Sequence, residues 1–194
     1  MFNFLKPQKT VAVTAHMPTC LTAEDRAPRY DALVQEALNS WGVGSVTAGA
    51  SAMDGAGRVT ECTLDMEIKG LDKKLLDRLV PHFESLGAPK GSWFADETGK
   101  ELRRFGSTEV LVLELDTAGL DPAVKAAHSP DELLERIKHK ISSGGRYMGE
   151  RAFEKTTELY FHCRAVRNVE AALAELLADH PLCANARVFR LANA

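Results

Sequence analysis

The chain lacks the features that would place it in a specialised class. No stretch approaches the ~20 consecutive apolar residues that a bilayer span needs. Residues 1–7, MFNFLKP, contain neither the apolar run nor the cleavage site of a secretory leader. A soluble, cytoplasmic protein with no membrane partner is therefore expected. Cysteine is sparse: Cys20, Cys62, Cys163 and Cys183 are widely spaced and form no CxxC pair. Free thiols in a reducing compartment are expected, and neither His162-Cys163 nor His180-Pro181-Leu182-Cys183 has the paired spacing of a structural zinc site. His16 and Cys20 stand alone in the sequence. Excess positive charge is also missing. Lys and Arg number 24 against 27 Asp and Glu, a net charge of −3. Residues 1–105 carry 13 basic against 14 acidic residues, and residues 106–194 carry 11 against 13. Without a concentrated basic surface to neutralise phosphates, no nucleic-acid partner is expected. The glycines form no Walker loop or dinucleotide fingerprint, and no GxSxG, HExxH or kinase set occurs. No cofactor, no metal and no catalytic residue is expected.

What the chain does contain is a regular alternation of strand and helix signals. Residues 10–14 (TVAVT) read as a strand. Thr22 can cap a helix whose first turn holds Glu24 and Asp25, and Leu33, Val34, Ala37, Leu38 and Trp41 recur at helical spacing before Gly42. Residues 43–53 and 59–68 read as a hairpin around Asp54-Gly55-Ala56-Gly57. In the second of these strands Cys62, Leu64, Met66 and Ile68 alternate with Glu61, Thr63, Asp65 and Glu67, which predicts one buried and one solvated face. A helix over 71–86 ends at Gly87 and Pro89, and Ser92-Trp93-Phe94-Ala95 reads as a strand followed by a turn at 97–100.

The pattern then restarts. Residues 109–116 form an apolar strand, Ser129-Pro130 opens a helix that Gly144-Gly145 closes, and Tyr147-Met148 begins a short strand. Residues 157–164, 169–180 and 187–191 read as strand, helix and strand. Residues 59–64 (VTECTL) match 156–161 (TTELYF) in position, and Phe94 matches Phe189. The order β-α-β-β-α-β occurs twice, so the expected fold class is α+β, two tandem ferredoxin-like halves with antiparallel sheets, 1–105 and 106–194. Two four-stranded sheets, or one continuous sheet, are expected. Each sheet should carry helices on one face only.

The helix-free faces hold the candidate site residues. In the first half these are Glu61, Asp65 and Glu67, with Trp93 on the same side if Phe94 is core. A flat strand is a poor oxygen cage for a cation, so the row reads as a solvated face or a partner-binding one. In the second half they are Tyr160, His162 and Arg164 beside Glu158, a polar set in which Glu158 could orient His162 as a general base. Val110 and Val112 share the face of that set without a helix to cover them. The central strands lack the aromatic pairs on which RNA-recognition modules stack bases.

Residues 86–92 (LGAPKGS), Phe105-Gly106, Glu158-Leu159-Tyr160-Phe161 and His180-Pro181-Leu182-Cys183 before Ala186-Arg187-Val188 together resemble a group of uncharacterised bacterial α+β proteins. The closing strand–helix–strand is loosely similar to ferredoxin-like regulators that inhibit other enzymes, and small acidic proteins of this kind resemble immunity (antitoxin) proteins. That resemblance implies a non-enzymatic protein that occludes a protein partner, in particular a basic toxin domain. The alternatives are a small enzyme working on the Tyr160/His162 face and a regulatory homo-oligomer.

Overall fold

A computed structural model describes residues 8–191, and the chain divides into two compact units between Gly106 and Ser107. In the first unit the strands are β1 (Thr10–Met17), β2 (Gly44–Met53), β3 (Val59–Lys69), β4 (Ser92–Asp96) and β5 (Glu101–Phe105). Its helices are α1 (Ala23–Arg26), α2 (Ala32–Trp41) and α3 (Lys73–Ser85). The second unit has β6 (Glu109–Asp116), β7 (Gly145–Ala152), β8 (Thr156–Cys163) and β9 (Arg187–Arg190), with α4 (Pro122–Ala127), α5 (Pro130–Ile141) and α6 (Val166–Asp179). The antiparallel sheets run β2-β3-β1-β4-β5 and β7-β8-β6-β9. Apart from β5 the strand orders are identical, and each unit is a ferredoxin-like α+β fold.

Local chemistry sets the element ends. Thr22 accepts the Asp25 amide at 3.2 Å, and Gly42 takes the left-handed conformation (φ 67°) that closes α2. Between α1 and α2 the helix widens over Ala27–Asp31 into a π segment, in which the Ala32 amide reaches back to the Ala27 carbonyl. Pro28, at its start, has no N–H for the preceding turn. Asp72 caps α3 on the Leu75 amide at 2.8 Å, and Ser129 caps α5 with Pro130 in the first turn.

The two sheets share a register. Val13 faces Met66 on β3, which faces Val46 on β2; Leu111 faces Phe161 on β8, which faces Tyr147 on β7. Each edge pairing then slips by one residue at the next rung, at Thr47 and at Met148. On the other side Val13 to His16 pair with Asp96 to Trp93, and Leu111 to Glu114 pair with Arg190 to Arg187. This register corrects the sequence match between the halves. Met66 corresponds to Phe161 and Leu64 to Leu159, a slip of two residues from the alignment of VTECTL with TTELYF. A shift of two keeps every side chain on its face, so the alternation alone could not detect it.

The fifth strand, β5, is a further correction to the four strands expected for the first half. Its sequence, ELRRF, has one buried residue, Phe105, and the rest of this edge strand is polar enough to look like loop. Phe105 completes an aromatic cluster with Phe94 (ring centroids 4.3 Å apart) and Phe83 (5.2 Å). The helix-covered face of the first sheet buries Val13, Ala15, Met17, Cys62, Leu64, Met66 and Ile68. That of the second buries Leu111, Leu113, Leu159, Phe161 and Cys163 against α5 and α6. All four cysteines are free and buried. Burial pushes the Cys62 and Cys163 thiols up to about 12 and Cys183 to about 11, so none of these three is an activated thiolate.

One device ties the π segment of the first unit to its sheet. Arg26, 4% exposed, forks onto Asp31 through Nε (2.9 Å) and Nη2 (3.2 Å) and donates through Nη1 to the Ala50 carbonyl (3.0 Å). Gly49 makes room for it, since a Cβ there would lie 2.6 Å from the guanidinium.

Candidate functional site

β1 alternates strictly. Val13, Ala15 and Met17 are buried beneath the helices, which turns Thr14 and His16 to the opposite face. The same alternation in β3 puts Glu61, Thr63, Asp65 and Glu67 on that face, and in β4 it puts Trp93 there with Phe94 in the core. Register then joins them. His16 lies opposite Thr63 on one side and Trp93 on the other. Its ring stacks on Trp93 with centroids 4.1 Å apart and planes 6° from parallel, and its Nδ1 meets Glu61 Oε1 at 2.8 Å. Two rungs on, on the same face, Thr14 Oγ1 donates to Asp65 Oδ1 at 2.7 Å. Glu67, opposite Ala12, is exposed.

The face is therefore acidic and partly pre-ordered. Glu61 holds the His16 ring through Nδ1, with side chains 42% and 23% exposed respectively. Stacking immobilises Trp93 as well, so a flat aromatic surface stands beside carboxylates at little entropic cost. The acidic row and Trp93 come together here. His16, which looks isolated in the sequence, is the residue that joins them. The signal that finds it is the parity of β1: once Val13 and Met17 are core, His16 must share a face with Glu61 and Trp93.

The corresponding face of the second unit differs. Val110, Val112, Glu158, Tyr160 and His162 are all buried, at 1%, 0%, 0%, 2% and 3% exposure. Tyr160 donates its hydroxyl to Glu158 at 2.7 Å. Glu158 and His162 stand four residues apart on one strand, about 13 Å, so the carboxylate is too distant to orient the imidazole. Arg164, just past β8, is exposed. Alternation tells which side a residue takes and not whether that side is covered, so the polar set reads as open from sequence and is buried in the structure.

Among the described residues no group of three or more His, Cys, Asp or Glu is placed to hold a metal ion, and no helix is long and apolar enough to cross a membrane.

No protein-family model and no curated protein matches the chain. Solved structures similar to it include an unknown protein from Galdieria sulphuraria (11% identity, 94% of this chain and 98% of that one, TM-score 0.30). Another is the regulatory subunit of aspartate kinase from Thermus thermophilus (14% identity, 88% and 98%, TM-score 0.28). A third is a heme-binding protein, also from Thermus thermophilus (10% identity, 94% and 90%, TM-score 0.31). At these scores the likeness carries no functional argument.

Proposed function

We propose that the protein is a non-enzymatic binding protein of the bacterial cytoplasm, of the immunity type, which occludes a basic toxin domain with the helix-free face of its first sheet. The observation that supports this most is the joining of an acidic row, Glu61, Asp65 and Glu67, to a stacked His16–Trp93 pair on one partly exposed face. Carboxylates steer a basic partner during encounter, and a pre-ordered Trp beside them is a good anchor once the partner has docked. The test is survival of cells that express a basic nuclease-type toxin domain, taken from the neighbouring gene if that gene encodes one, with and without this chain. Protection by the wild type, lost when Trp93→Ala is combined with Glu61→Lys, Asp65→Lys and Glu67→Lys at equal protein level, supports the proposal. Full protection by that variant sinks it.

A second reading is favoured by the 2.8 Å contact between His16 and Glu61. An imidazole oriented by a carboxylate is the usual make-up of a general base, which would move the enzyme alternative from Tyr160/His162 to His16. If the purified protein turns over a substrate and His16→Gln abolishes turnover while leaving the fold intact, this reading replaces the first.

A further inference from the structure

The second unit contains a cavity of about 360 Å³ on the helix side of its sheet, away from the helix-free faces that hold the candidate site residues. Leu133, Leu159 and Leu182 form its buried floor, and Leu115, Leu120 and Leu134 its partly exposed walls. The exposed Lys125, Asp131 and Glu150 stand at the mouth, and the half-buried Thr117 and Thr157 also line the space. A concave, mostly apolar space with a few polar groups at one end is the usual form of a small-molecule site, and this volume lies in the range of such sites.

The shared register shows where the space comes from. The rung Met17–Cys62 of the first unit corresponds to Leu115–Thr157 of the second. Met17 and Cys62 are fully buried, because the chain leaving β1 lays Cys20 (2% exposed) and Leu21 (0%) over the sheet before α1 begins. The chain leaving β6 forms instead a turn and α4, and α4 buries none of its residues. Leu115 and Thr157 are therefore left as cavity wall.

We propose that this cavity binds an uncharged aliphatic molecule with one hydroxyl end, of the medium-chain alcohol class. The leucines accept the chain. The mouth carries one cation and two carboxylates, so it gives no net attraction to an anionic head. Glu150 already takes the Tyr147 hydroxyl at 3.2 Å. A hydroxyl can accept from Lys125 and donate to Asp131, which neither a carboxylate nor an ammonium can do alone.

The test is methyl NMR of the full chain titrated with 1-octanol, octanoate and octylamine. Octanol should shift the Leu133, Leu159 and Leu182 methyls saturably and leave Leu64 and Leu79 of the first unit unmoved. The two charged analogues should bind about tenfold more weakly, since each leaves a rim partner unmatched. Leu134→Trp should fill the space and abolish the shifts; Thr157→Met, which narrows it from the strand side, should weaken binding and serves if the Trp variant does not fold. Absence of saturable shifts in the folded wild type would overturn the proposal. So would equal shifts in both units, tighter binding of octanoate or octylamine, or undiminished octanol binding by the folded variants.

Discussion

At one rung of each sheet the two units have taken opposite courses. Where His16 stacks on Trp93 in the first unit, Glu114 forms an ion pair with Arg187 in the second. The next positions diverge as far: Thr14 and Asp65 correspond to Val112 and Tyr160, and Glu67 corresponds to His162. Yet the rungs, the strand order and the slip at Thr47 and Met148 agree. Agreement in register despite this divergence identifies the residues that specify the fold. Side chains beneath the helices fix register, because a one-residue slip would expose them. The helix-free faces are not bound by that requirement and can carry either a half-exposed polar cluster or a buried set.

The largest effect is expected from removing the Arg26 device of the first unit. Arg26→Ala should destabilise the first unit by about 3–5 kcal/mol, because it leaves the Asp31 carboxylate and the Ala50 carbonyl without their donor. Hydrogen exchange should show the loss in β2 and α2 while β6 and β8 keep their protection.

Truncating corresponding core residues should give a comparable effect in the first unit and a smaller one in the second. Leu64→Ala, at a fully buried site, should cost about 4 kcal/mol, and Leu159→Ala, whose side chain already borders the cavity, about 2 kcal/mol. Urea unfolding with matched m-values checks the order, and equal costs would remove the cavity from the comparison.

A pH effect belongs to His82 on α3, next to Trp41 at 5.5 Å. Burial lowers its pKa below the ordinary 6.5. The unfolded chain then takes up a proton before the folded one, so acidification through that window favours unfolding. The stabilisation is complete above about pH 6.5 and is lost as the pH falls toward the lowered value. The urea midpoint should drop as the pH falls below about 6.5, and His82→Gln should flatten that dependence. Smaller still, Glu114→Gln removes an ion pair with a largely exposed Arg187 and should change stability by less than about 1 kcal/mol.

Much of this fold was legible because periodicity reports burial directly. Cys62, Leu64, Met66 and Ile68 marked β3, and Ser129-Pro130 marked the start of α5. The charged β5 and the short α4 escaped, since an edge strand of ELRRF and a helix with no buried residue carry no apolar period. Of the candidate site, Glu61, Asp65, Glu67 and Trp93 could be placed on a face from strand parity. His16 lay beyond the strand read over 10–14; parity of the longer β1 puts it on that face, and its contact with Glu61 and Trp93 follows from the pairing of β1 with both β3 and β4, a long-range fact. The burial of Tyr160 and His162 depends on what lies over a sheet face, which alternation does not encode.

Whether the acidic face of the first sheet is a docking surface is decided by association kinetics with a basic toxin domain that this chain protects against, from about 20 mM to about 500 mM salt, a range over which surface charge is progressively screened. Glu61→Lys, Asp65→Lys and Glu67→Lys together should slow association about tenfold or more at low salt and flatten its salt dependence, with dissociation changed much less. An unchanged association rate at low salt for the folded triple variant would contradict docking at this face.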